Sequence, residues 1–87
     1  MGQRHMARIL VTDGETRTCL AATRALARAG HNVYVTASRL PALATVSRYC
    51  TACAQIPAPR DAPEAAAAAL SALVERWAID VVLPVTD

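Results

Sequence analysis

The residues best suited to chemistry fall in four short stretches. Asp13-Gly14-Glu15-Thr16-Arg17-Thr18 closes one apolar run and opens a segment of helical period, Ser38-Arg39 closes a second run, and Thr86-Asp87 closes the last. A turn entering a helix aims backbone N–H groups at an anion such as a phosphate or carboxylate, and Arg17 adds a positive charge there. Cys50-Thr51-Ala52-Cys53 is a C-x-x-C, the spacing of a redox pair or of half a zinc site. Only Cys19 and His31 could complete a zinc set outside the leading segment. Cys19 falls on the core face of a helix, so Cys50 and Cys53 read as small buried thiols. His31 follows the helix-ending Gly30 and reads as a neighbour of the helix dipole.

Several chemistries lack their residues. The chain has no Ser-His-Asp set, no paired carboxylates at acid–base spacing and no glycine-rich loop ending in Gly-Lys-Ser or Gly-Lys-Thr. All nine basic residues are arginine, so the lysine that most phosphoryl-transfer sites use is missing. The arginines are scattered, the net charge is only +2, and the aromatics are Tyr34, Tyr49 and Trp77 alone, which argues against a nucleic-acid partner. No apolar run is long enough to cross a bilayer and no secretory signal is evident, so no membrane partner is expected and the default compartment is the cytoplasm.

Eighty-seven residues hold one small core at most. The opening MGQRHM, residues 1–6, reads as a vector-derived leader, leaving 7–87 as the folding unit. Residues 8–13 form a continuous aliphatic run, the pattern of a strand covered on both faces of a parallel sheet. From 16 to 29, Cys19, Thr23 and Leu26 recur at helical spacing opposite Arg17, Arg24 and Arg28, with Thr16 or Thr18 as N-cap and Gly30 as terminator. A second strand is expected over 32–37, a loop with a short helical turn over 38–49, and a third strand near 53–56.

Asp61 and Glu64 have capping-box spacing for a second helix over 62–77, with Pro63 in its first turn. Its apolar face is Ala66, Leu70, Leu73, Val74 and Trp77. A last strand over 80–84 completes a small open parallel α/β sheet of about four strands with helices on both faces. In such a sheet ligands bind outside the carboxyl ends of the strands. The candidate positions are therefore Asp13 to Arg17, Ser38 to Arg39, and Thr86 to Asp87.

A dinucleotide site is the competing expectation, with Arg39 accepting the 2′-phosphate of NADP in a reductase or epimerase. The first loop has one glycine where that pattern needs three, and Glu15 would face the pyrophosphate. A stand-alone binding module is the third possibility.

The RILVTDG opening, the helix ending LARAGHNVYVTAS, the SRY at residues 47–49 leading into IPAPRD, and the closing IDVVLPVTD resemble, in order and spacing, the Rossmann-like pre-ATP-grasp domain of ATP-grasp enzymes. The likeness is to the carboxylate–amine ligase and carbamoyl-phosphate-synthase-like branch and covers 7–87. It implies a longer parent enzyme that activates a carboxylate with ATP and magnesium and joins it to an amine. The ATP and metal ligands would lie in a downstream ATP-grasp domain, so this segment would hold no cofactor and no catalytic residue. The implied partners are that downstream domain and a small carboxylate or amine substrate, to whose site the resemblance implies that Gly14, Glu15, Thr16, Arg17, Thr86 and Asp87 contribute as substrate-binding residues. The bare last strand adds an expectation of self-association.

Overall fold

The computed structural model describes residues 6–85. β1 (Arg8–Val11), α1 (Arg17–Arg28), β2 (Asn32–Ala37), β3 (Cys50–Gln55), α2 (Pro63–Arg76) and β4 (Val81–Leu83) follow in that order. The strands form one parallel sheet in the order β3-β2-β1-β4. The small open parallel sheet with helices on both faces, Rossmann-like in form, is thus the observed architecture.

Side-chain alternation divides β1 and β2 between two cores. Ile9, Val11, Val33 and Val35 face α1 and bury Cys19 of that helix. Leu10 faces α2 and packs with Ile56 and Leu73. The central strands carry most of the fully buried side chains, as β-branched and aliphatic runs do when both faces are covered. β4 differs, because Val81, Val82 and Leu83 are all exposed at the sheet edge.

Both helices end in the same way. The N–H of His31 donates to Leu26 O and that of Gly30 to Ala27 O, while Ile79 N–H donates to Val74 O and Ala78 N–H to Glu75 O. These are paired Schellman closures, and each needs a left-handed residue. Gly30 takes that place at φ 100° in α1, but Ala78 takes it at φ 51° in α2. Ala78→Gly is therefore expected to raise stability by about 1 kcal/mol, because a Cβ in this region costs about that much and glycine avoids it. A urea midpoint that stays put or falls would contradict this.

Several local expectations shift. Thr16, rather than Thr18, caps α1, its Oγ1 accepting from Cys19 N–H at 3.1 Å. β3 starts three residues earlier than expected and ends before Ile56. The expected capping box does not form. A turn on Ala58 O carries the chain through Asp61 and Ala62, so the N-cap is Ala62, which makes no side-chain bond. Pro63 does sit in the first turn. His31 does more than neighbour a dipole: its Nδ1 accepts from Ala7 N–H at 3.2 Å and ties down the entry to β1.

The 38–49 loop contains one helical turn, closed by Val46 N–H on Ala42 O, and is otherwise irregular. Among the described residues no helix is long and apolar enough to cross a membrane.

Candidate functional site

A cleft of about 740 Å³ opens at the carboxyl ends of β1, β2 and β3, where the topology of an open parallel sheet locates ligand sites. Its near wall is the loop after β1, with Asp13, Glu15 and Thr16, and the end of β2, with Thr36, Ser38 and Arg39. The far wall is the Pro-rich segment after β3, which adds Arg60 and Asp61.

Gly14 allows these walls to meet. Its N–H donates to Thr36 O at 2.9 Å and its carbonyl accepts from Ala44 N–H at 2.8 Å, so the loop lies directly against β2. A Cβ at this position would stand 2.8 Å from Val35 Cγ1, closer than carbon atoms can pack. Asp13, just before it, adopts φ 60°. Aspartate tolerates the left-handed region better than most residues, which suits it to this sharp exit from β1.

Glu15 crosses the gap to β2. One oxygen, Oε2, accepts from Ser38 N–H at 2.6 Å, from the Ser38 hydroxyl, and from Arg39 N–H at 3.2 Å. Partial burial works to raise the carboxyl pKa, but the bonds from the Ser38 hydroxyl and from backbone N–H groups outweigh it and hold the group below its ordinary 4.5. A folded pKa below the unfolded one means that this tie stabilises the fold above the ordinary carboxylate range. That contribution disappears as the pH falls through the depressed value. The urea midpoint of the parent should accordingly exceed that of Glu15→Gln by a constant amount near neutrality, and the two should converge in acid. A gap independent of pH would refute it.

Thr36 contributes a different feature. Its Oγ1 is buried and has no hydrogen-bond partner among the described residues, a condition that costs about 1–3 kcal/mol in a protein interior. Arg39 and Arg60 are exposed, and neither guanidinium forms an ion pair with another described residue. The cleft is therefore lined by both arginine and carboxylate side chains.

No family model matches the chain. No curated protein and no solved structure matches it either. The site rests on its own geometry.

Of the expected site residues, Glu15 and Thr16 line the cleft. Gly14 lies buried at the contact with β2. Arg17 is exposed on the first turn of α1 and is not part of the lining. Thr86 and Asp87 fall outside the described residues. Asp13, Ser38 and Arg39, from the candidate strand-end stretches, also line it, whereas Thr36, Arg60 and Asp61 are not among the expected binding residues. The position of residues 60–61 just past a strand end was the available signal, but the prolines and the apparent capping box drew them into the helix start.

The two cysteines of the C-x-x-C sit on β3. A register shift between Val33 and Tyr34 pairs Cys50 with Val33 and Cys53 with Val35. Without that bulge an i, i+3 pair in a strand would point to opposite faces; with it, both align with valines of the α1 side. Cys50 is half-buried and its thiol donates to Ala52 O at 3.1 Å, whereas Cys53 is exposed rather than buried. Burial first, and then the neighbouring Cys53, pushes the Cys50 thiol up to about 11. Burial also lifts buried Cys19 to about 11, and neither thiol is a nucleophile at neutral pH. Among the described residues no group of three or more His, Cys, Asp or Glu side chains is arranged to hold a metal.

A second hollow of about 490 Å³ lies on the α1 side between Arg24, Arg28 and the 43–49 loop. Tyr49 is placed between two guanidiniums there, with Arg28 5.6 Å and Arg48 5.1 Å from its ring centre. The hydrogen bond from Arg48, then that from Arg28, lowers the phenol pKa. Tyr49 is thus only partly packed, while Arg48 is solvated and bonded to the Tyr49 hydroxyl.

Proposed function

We propose that this chain is the substrate-side, pre-ATP-grasp domain of an ATP-dependent carboxylate–amine ligase, and that its cleft holds part of a small carboxylate or amine substrate. The cleft at the carboxyl ends of β1–β3 is the observation that carries the proposal. It brings Arg39 and Arg60 together with Asp13, Glu15 and Asp61, a mixed lining suited to a small molecule bearing both signs of charge. The ordered likeness of the sequence segments to that family supports the same assignment. ATP and magnesium would be bound by a downstream domain of the parent, and this segment would not itself be catalytic.

The experiment separates the ligase from the reductase alternative. NADPH titrated into the chain, followed by its own fluorescence, is expected to give no saturable signal. Saturable binding abolished by Arg39→Ala would replace the ligase assignment with a dinucleotide-binding one. Sequencing of the natural protein from its source provides the second arm. A longer chain with a lysine-bearing α/β domain and clustered metal-binding carboxylates supports the ligase, and a natural end at Asp87 removes it.

We also propose self-association through β4. Val81, Val82 and Leu83 stay exposed, and among the described residues this strand pairs only with β1. An open apolar edge is a template for another strand. Sedimentation is expected to show concentration-dependent dimers that Val82→Lys reduces; a strictly monomeric profile at high concentration overturns the idea.

A further inference from the structure

The Glu15 carboxylate occupies a notch whose donors suit a ligand as well as they suit a side chain. Two successive backbone N–H groups, of Ser38 and Arg39, and the Ser38 hydroxyl converge on the single oxygen Oε2. Successive N–H groups that focus on one point form an anion-binding concavity whatever carries the anion. Three donors on one oxygen match a carboxylate or phosphate oxygen better than a neutral hydroxyl, because charge-assisted bonds are the stronger ones.

Two further observations connect the notch to the cleft beside it. Arg39 and Arg60 line that cleft, and their guanidiniums have no ion-pair partners among the described residues. Thr36 is also in the lining, and its buried Oγ1 has no hydrogen-bond partner among the described residues. A purely structural clasp needs neither feature, whereas an incoming oxyanion would use the arginines at once. Glu15 itself is an exposed residue on the short turn between β1 and α1, so its side chain can swing into solvent without opening the core.

We propose that the Ser38–Arg39 notch is an oxyanion-binding site that Glu15 keeps closed, and that a phosphate or carboxylate group of the ligand displaces Glu15 to bind there. This rests on the assignment of the cleft as a small-molecule site, but not on the ligase assignment. Glu15 acts as an internal competitor, so the affinity of the cleft for an anion depends on how firmly the loop after β1 is seated.

The test follows backbone amide resonances of the 87-residue chain during titration with inorganic phosphate or with acetate, at neutral pH and fixed ionic strength. In Glu15→Ala the Ser38 and Arg39 amides should shift saturably, with an apparent Kd at least tenfold lower than in the parent chain. A gain for phosphate alone identifies a phosphoryl ligand; a gain for acetate alone identifies a carboxylate. Glu15→Gln keeps an amide oxygen that can accept the same bonds but loses the charge, and a several-fold gain is expected there. If Glu15→Ala does not fold, the Gln variant decides. Parent-like affinity for both probes in the folded variant overturns the proposal. So does a gain confined to Arg24, Arg28 and Tyr49, since the anion would then sit in the other hollow. A positive result together with NADPH binding through Arg39 would leave the notch standing and remove only the ligase assignment.

Discussion

Leu73→Asp is expected to abolish the native fold. Leu73 is the buried anchor by which α2 reaches Leu10 and Ile56, and Leu70, Trp77 and Ile79 around it are only partly buried. The substitution forfeits about 2 kcal/mol of apolar burial. It also forces an unpaired carboxylate into that layer, which costs several kcal/mol more or drives the helix off the sheet. Domains hold roughly 0.05–0.15 kcal/mol per residue, and short chains have little to spare. Circular dichroism and amide dispersion should both report a collapsed or unfolded chain, while Leu73→Met stays native. A cooperative urea transition in the aspartate variant would contradict the role given to α2.

Gly14→Val should be the most damaging change at the cleft. The added carbons would enter the space held by Val35 Cγ1, with Ala37 Cβ and Thr36 O each 3.3 Å from the first of them. Val35 is fully buried and branched at Cβ, so it cannot turn aside as a long side chain would. Overpacking of this kind costs about 1–3 kcal/mol. The larger consequence is local: the Gly14–Thr36 backbone bond lengthens and Glu15 loses its reach to Ser38. The expected result is a lower urea midpoint together with altered Ser38 and Arg39 amide resonances. Loss of stability with those resonances unchanged would separate Gly14 from the positioning of Glu15.

The central architecture was legible because β1 and β2 are dense in branched and aliphatic residues, and because Arg17, Arg24 and Arg28 mark the wet side of α1 as plainly as Cys19 marks the dry one. β3 was harder. Its CTACAQ segment carries little apolar signal, and the bulge that realigns Cys53 depends on pairing with β2, which no local pattern encodes. Asp61 and Glu64 had the spacing of a capping box, yet the turn on Ala58 shifted the helix start by one residue. The location of the cleft followed from strand ends and parallel order. The grip of Glu15 on Ser38 did not, since it spans 23 residues and exists only because Gly14 lets two backbones touch. The idle hydroxyl of Thr36 was equally hidden, because threonine in NVYVTA reads simply as a good strand former.

At the amino ends of the strands, Arg8 donates through Nε to the carbonyl of Trp77 at 2.7 Å and lies over the ring of Tyr34, which stacks on Trp77 with centroids 5.1 Å apart. Trp77 is the sole tryptophan, and the cleft lies at the other ends of the same strands. The molecule thus carries its own optical gauge. Excitation transferred from Tyr34 to Trp77 should follow the seating of α2, and neither ring lines the cleft, so this emission is expected to report loss of fold separately from loss of ligand in one cuvette without a label.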